Sequence, residues 1–317
     1  MGLLNRRHLR IKVLQALYAY QQSENTTVQK GEKELFTSID KIYELYFRLL
    51  TIFGELKREA ELRVEENKAK LRPSADDLKP NTRFIDNKVL NLLSDSRNIS
   101  AYAKLYKVNW SLEGVMLRKL FTMLTQSEEY ENYMSKPEAT FDDDKAILAE
   151  LFKKYIANYA PLHEYLDELS IYWSDDLDLV CVMVLRTIKD LKATATEHFD
   201  VMPLYKDEED DTEFVKTLFS QAVRHQEEHF AQIDSKAGNW ELERIAVMDR
   251  LIMNLALTES TNFNNIPLKV TLNEYIEISK FYSTPKSNSF INGILDKLFT
   301  EMKRSGAISK TGRGLIE

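Results

Sequence analysis

The stretch from Trp240 to Glu259 limits the fold more than any other part of this chain. It is apolar at Leu242, Ile245, Ala246, Val247, Met248, Leu251, Ile252, Met253, Leu255, Ala256 and Leu257, with a narrow polar stripe at Glu243, Arg250, Asn254 and Thr258. A helix that is apolar on nearly all sides must be packed from several directions, so this segment is expected to be a central helix. Asn264, Asn265 and Pro267 then break the pattern. Thr271 and Glu274 have the spacing of a capping box, which predicts a second helix starting there and running to Tyr282. Pro285 stops it. Ser287 or Asn288 is placed to cap a third, with Phe290, Ile291, Ile294, Leu295 and Leu298 on its apolar face. Gly293 inside that helix costs about 1 kcal/mol relative to alanine, which predicts a close backbone approach there.

Upstream, the same logic gives helices almost everywhere. A first helix over Asn5–Gln22 has an apolar stripe at Leu9, Val13, Ala16, Leu17 and Tyr20. Residues 25–71 repeat apolar side chains at helical spacing, Pro73 to Pro80 reads as a loop, and short helices fit Phe84–Leu93, Ile99–Tyr106 and Trp110–Leu124. Gln126 to Thr140 is polar and reads as a loop. With 9 Gly and 7 Pro in 317 residues, and 29% charged residues, composition agrees with an all-α protein of one large or two ordinary domains. The single cysteine, Cys181, excludes an internal disulfide and suits a reducing cytoplasm. No apolar run is long enough to span a membrane, and no apolar segment follows the N-terminal charges as in a secretory signal.

A weak internal repeat is also present. Shifting LFKKYIANYAPLHEYLDELSIYWSDDLDLVCVMVLRTI by 67 residues pairs Phe152 with Phe219, Leu166 with Ile233, Asp167 with Asp234 and Trp173 with Trp240. This reads as a degenerate duplicate of core helices within 141–192, against the plain alternative that amphipathic helices resemble one another. For a third copy at Trp110 the plain alternative is preferred.

The formal charge of −7 is unevenly placed. Residues 1–23 carry Arg6, Arg7, Arg10 and Lys12 and no acid, and residues 260–317 carry eight Lys or Arg against five Asp or Glu. The acidic excess lies between them, which argues against a general nucleic-acid binder and for a local basic site if the two ends meet. The arginines crowd the first turns of helix one. The helix dipole disfavours cations there by roughly 0.3–1 kcal/mol each, so local stability does not explain them. Phosphate contact is one reading, with His8 as a helper; an ordinary solvated basic terminus is the other. Asp207 to Asp211 reads as a solvated acidic loop ahead of a helix, and Lys303 to Glu317, with Lys303, Arg304, Lys310 and Arg313, as a flexible basic tail that at most adds electrostatic attraction to nucleic acid.

His225-Gln226-Glu227-Glu228-His229 has the form H-x-x-E-H of an inverted zinc-peptidase motif, but a polar helix face explains it as well and no third ligand stands out. Asp249, in the apolar stripe of the central helix, is read as structural and in need of a partner such as a backbone N–H or Arg244. No Gly-rich phosphate loop, nucleophile elbow or Cys–His pairing is present, so no enzyme activity and no cofactor are expected.

The segments WELERIAVMDRLIMNLALTE, IPLKVTLNEYIEISKFY and SFINGILDKL resemble the NusB family of bacterial transcription antitermination factors. Asp249, Pro267, Asn273, Glu274, Phe290, Asn292 and Gly293 fall at the family's signature positions, and DTEFVKTLF, Ile233-Asp234 and the N-terminal RRHLRIKVLQALYAYQ also fit. These blocks cover about a third of the chain. The resemblance implies two small helical bundles: a first helix in 1–24, a core in 211–304, a tail in 305–317, and a large helical insertion in 25–210, which carries no family pattern over 25–140 and holds the degenerate core repeat at 141–192. It implies a non-enzymatic adaptor that binds boxA-type single-stranded RNA with NusE, a small-subunit ribosomal protein, within a transcription elongation complex in the cytoplasm. On this reading Arg6, Arg7, Arg10 and Lys12 hold phosphates, while Tyr18 and Phe290 stack bases, although both also suit a core. Where the family has an acidic pair before the Phe-x-Asn-Gly block, this chain has Pro285-Lys286, so Lys286 is expected to add phosphate attraction. NusB-like domains also serve as RNA-recognition modules of ribosomal RNA methyltransferases, but no Gly-rich nucleotide-binding segment supports that here. The remaining alternative is a helical protein–protein scaffold that has lost RNA binding.

Overall fold

A computed structural model describes residues 2–23, 27–237 and 245–315. Among the described residues there are fifteen α-helices and no strand: α1 (Arg6–Gln22), α2 (Val28–Lys68), α3 (Ala75–Leu78), α4 (Lys88–Ser94), α5 (Arg97–Leu105), α6 (Gly114–Thr125), α7 (Glu128–Met134), α8 (Phe141–Lys154), α9 (Ala160–Leu169), α10 (Leu177–Asp190), α11 (Glu208–Arg224), α12 (Gln226–Ala237), α13 (Val247–Asn262), α14 (Leu268–Tyr282) and α15 (Ser287–Ser305). They divide into two compact units, Met1–Ile39 with Leu204–Glu317, and Asp40–Pro203.

In the first unit α13 is the central element. Every residue from Leu251 to Ser260 is fully buried, because α1, α11, α12, α14 and α15 all pack against it. Its polar residues are matched individually, as buried polar groups must be. Asn254 donates from Nδ2 to the Ala222 carbonyl at 3.1 Å, and the Thr258 hydroxyl donates to the Asn254 carbonyl at 2.8 Å. Asp249 accepts from the Ser283 hydroxyl. The expected start at Trp240, together with Leu242, Glu243 and Arg244, lies outside the described residues; the described helix begins at Val247.

Two expected helix starts differ. Pro267, not Thr271, precedes the first residue of α14. Thr271 is a full turn inside the helix and donates its hydroxyl to Glu259 at 2.8 Å, while Glu274 binds Arg7, so tertiary partners took both members of the expected box. At α15 the cap position is Lys286 without a side-chain cap; Ser287 is the first helical residue and is buried in hydroxyl contacts with Ser283 and Thr284. Within α15, Gly293 is exposed and a Cβ there would meet nothing, so the expected close approach does not exist among the described residues.

The second unit is built around the part of α2 beyond Asp40. Tyr46 pairs its hydroxyl with Thr187 of α10 at 2.6 Å, Phe53 meets Phe152 of α8 with ring centroids 5.8 Å apart, and Trp173 donates from Nε1 to the Lys41 carbonyl at 2.7 Å. The polar stretch expected to be a loop over 126–140 contains α7. Ser127 caps it, three glutamates occupy its first turn, and Tyr133 anchors it by donating to Asp144 at 2.6 Å. The expected loop at 73–80 likewise holds the one-turn α3, closed by a Ser74–Asp77 capping box.

The two units share an internal pattern. The 67-residue shift carries Phe141, the start of α8, onto Glu208, the start of α11, and carries α9 onto α12 within one residue at each end. In the first unit α11 packs on α13, and in the second α8 packs on α10. Phe219 meets the Tyr20 ring edge-on with centroids 5.8 Å apart, and Phe152 meets Phe53 at the same separation but with the rings tilted by 30°.

Candidate nucleic-acid interface

The N-terminal turns of α1 form one wall of a cleft of about 1000 Å³ in the first unit. Asn5 caps α1 by accepting from the His8 backbone N–H at 3.1 Å, and His8 Nδ1 accepts from the Asn5 N–H at 3.3 Å. Burial, then the nearby Arg7 charge, lower the His8 pKa, consistent with a neutral ring that accepts this bond.

Each arginine of α1 meets a carboxylate. Arg6 pairs with Asp210 and, at 3.2 Å, with Asp211, and its guanidinium lies 4.1 Å from the centre of the Phe214 ring. The acidic run is therefore not a solvated loop. Asp207 caps α11, and Glu208, Glu209, Asp210 and Asp211 form its first turn. Asp211 is buried and accepts from the backbone N–H groups of Lys206 and Asp207.

Arg7 donates from Nε and Nη2 to the two oxygens of Glu274, each at 2.8 Å. That bond raises the Arg7 pKa and lowers that of Glu274. Arg10 is buried and donates from Nε and Nη2 to Glu259 at 2.6 and 2.8 Å, and Tyr275 donates its hydroxyl to the same carboxylate at 3.2 Å. Burial, the largest single effect, acts to lower the Arg10 pKa, but the charge and hydrogen bond of Glu259, with Tyr275 and Glu274, together outweigh it and the net shift is upward. Local helix energetics disfavour these cations; counter-charges from α11, α13 and α14 hold them in place.

The sequence-predicted residues thus separate into three groups. Arg10 and Lys12 are buried, so neither presents its charge to solvent, and the expectation that they hold phosphates is corrected. Arg6 and Arg7 line the cleft, partly exposed but ion-paired. Tyr18 is exposed, Lys286 is exposed and pairs with no described residue, and Phe290 is half-buried.

A second contact relates these groups. Gln15 Nε2 donates to the Tyr282 hydroxyl at 3.1 Å. Arg7 to Gln15 and Glu274 to Tyr282 are equal steps along their helices, so α1 and α14 run side by side in the same direction for roughly 12 Å. Tyr18 lies one turn beyond Gln15 on α1, whereas α14 ends at Tyr282 and Lys286 lies past it, at the start of α15. The line of contact between the helices therefore has Arg6 and Arg7 at one end and Tyr18 towards the other.

Sequence reasoning left Arg313 in the flexible basic tail, outside the candidate site. The tail expected to be flexible instead crosses the α13–α14 corner: Thr311 N–H donates to the Asn264 carbonyl at 3.0 Å, and Lys310 Nζ donates to the Phe263 carbonyl at 2.9 Å. Arg313 consequently lines the same cleft as Arg6 and Arg7, and the two basic ends of the chain meet. The signal available was the pair of glycines flanking Arg313.

The H-x-x-E-H segment straddles the junction of α11 and α12. His229 is buried and its Nδ1 bonds Asn254 Oδ1 at 2.6 Å; burial lowers its pKa. Among the described residues no group of three or more His, Cys, Asp or Glu is placed to hold a metal. Among them also, no helix is long and apolar enough to cross a membrane.

Known proteins share part of this sequence. The NusB family model matches residues 178–299, from α10 into α15, so the match begins within the segment read as an insertion. The transcription antitermination protein NusB of Salinibacter ruber is 42% identical over 104 residues, 33% of this chain and 65% of that protein. That of Chloroherpeton thalassium is 39% identical over 105 residues, 33% of this chain and 50% of that protein. That of Methylacidiphilum infernorum is 34% identical over 113 residues, 36% of this chain and 77% of that protein. The chain belongs to the NusB family. It spans 65% and 50% of the length of the first two NusB relatives, and the remainder of this NusB-family chain lies outside those matches. No solved structure matches significantly.

Proposed function

We propose that this NusB-family protein is a non-enzymatic transcription antitermination factor that binds boxA-type single-stranded RNA together with the ribosomal protein NusE. The observation that carries the reading is the line of contact between α1 and α14, with the partly exposed Arg6 and Arg7 at one end and the exposed ring of Tyr18 towards the other. Charges that follow a backbone and rings that stack bases are what single-strand recognition requires. The names of the three relatives support the antitermination part of this reading. Phosphates reach Arg6 and Arg7 at their exposed edges, Tyr18 and Phe290 stack bases, and Lys286 attracts the strand; Arg10 acts by fixing α1.

The test is an anisotropy titration of a labelled boxA-like RNA at low and moderate salt, with and without NusE. Tight, sequence-preferring binding that NusE enhances, and that Arg6→Ala with Arg7→Ala weakens, supports the proposal. Absence of sequence-preferring binding in every condition favours the helical scaffold instead.

We infer also that the second unit is a degenerate copy of the core. Its helix bounds and packing pairs follow those of the first unit. Matching Tyr20 with Phe53 sets Asp40 and Tyr43 of the second unit against Arg7 and Arg10 of α1, so the copy lacks those arginines and with them the RNA-binding chemistry.

A further inference from the structure

We propose that Arg313, delivered by the C-terminal strap, is a phosphate-holding residue of the cleft, a role that rests on the RNA-binding reading. The arginines of α1 already have carboxylate partners: Asp210 and Asp211 for Arg6, Glu274 for Arg7 and Glu259 for Arg10. A phosphate must compete with those carboxylates. Glu213, the other acid lining the cleft, accepts from the Thr217 hydroxyl at 2.9 Å. Arg313 is exposed, lines the cleft and pairs with none of the described residues, so its guanidinium donors are available without breaking an ion pair.

The strap is shaped to hold it there. Ile308 is buried, and Thr311 and Lys310 bond the carbonyls of Asn264 and Phe263. Lys310 is half-buried, and burial lowers its pKa, so this lysine serves as an anchor. Gly312 has φ +52°, a conformation glycine adopts without strain. Gly314 is packed so closely on the Asn264 carbonyl that a Cβ would collide with its oxygen. Each glycine beside Arg313 therefore meets a separate steric requirement of the turn that presents the side chain.

The experiment titrates the full chain with the labelled boxA-like RNA over a range of salt concentrations. Arg313→Ala is expected to weaken binding roughly fivefold and to reduce the salt slope by about 0.7, the value for one phosphate contact on a single strand. Arg313→Lys is expected to retain most of the slope. Gly314→Ala is expected to unseat the strap and reproduce the loss with Arg313 present. Wild-type affinity and slope in Arg313→Ala overturn the inference while leaving the RNA-binding proposal standing. Failure of the wild-type chain itself to bind overturns that proposal, and this one with it. Arg313 is exposed, so its replacement leaves the core intact even if Gly314→Ala does not fold.

Discussion

Arg10 and Glu259 form a two-pronged ion pair with neither side chain more than 3% exposed, although 249 residues separate them in the chain. Thr271 and Tyr275 donate to the same carboxylate, so one acidic side chain of α13 ties α1 to α14. Replacing Arg10 by Met leaves a buried carboxylate without its cation. The expected loss is about 3–5 kcal/mol, read as a lower urea midpoint, because a buried charge stripped of its partner keeps its desolvation cost. A loss below about 1 kcal/mol in that measurement rejects a structural role for the pair.

The Arg7–Glu274 pair makes stability depend on pH. The Arg7 hydrogen bond lowers the folded pKa of Glu274 below its usual 4.5. A depressed carboxylate stabilises the fold fully above its unfolded pKa and loses that contribution as pH falls through the folded value. Glu274→Gln is therefore expected to destabilise the protein at pH 7 and to shrink the difference from wild type in acid. Urea midpoints for both proteins from neutral pH down to roughly pH 3 check this. A difference that stays constant across the range contradicts it.

Lys286→Glu separates binding from folding. The residue stands at the N-terminal end of α15, where the helix dipole favours an anion over a cation. Stability is expected to rise by about 0.3–1 kcal/mol, while RNA affinity and its salt slope fall. Unchanged affinity and slope remove Lys286 from the interface.

Gly293→Ala is expected to stabilise the protein by about 1 kcal/mol, read as a higher melting temperature. The site is in the interior of α15, exposed, and empty around the missing Cβ. A lower melting temperature in the free protein contradicts the open surroundings.

Much of the fold was legible because apolar periodicity is local. The burial of Leu251, Ile252, Met253, Leu255, Ala256 and Leu257 follows from the apolar residues themselves, as do the breaks at Pro267 and Pro285, whereas the burial of Asn254, Thr258, Glu259 and Ser260 does not. Helix ends were less legible. Thr271 and Glu274 have capping-box spacing, yet both side chains found stronger partners in Glu259 and Arg7, which lie elsewhere in the chain. The α7 turn was hidden because its main anchor, the Tyr133–Asp144 bond, joins two elements across an otherwise polar stretch.

The sequence by itself determined that the chain is helical, that one helix is central, and that its two ends are basic. Tertiary structure decided what those basic residues do. Arg6, Arg7 and Arg10 look alike within one turn and a half of α1, but Arg10 is buried against Glu259 while Arg7 lies half in solvent. Arg313 looks like part of a loose tail until Gly314 seats against Asn264. The physical reason is range: helix formation depends on neighbours a few residues apart, whereas the environment of a charge depends on which distant carboxylates and how much water the folded chain brings to it.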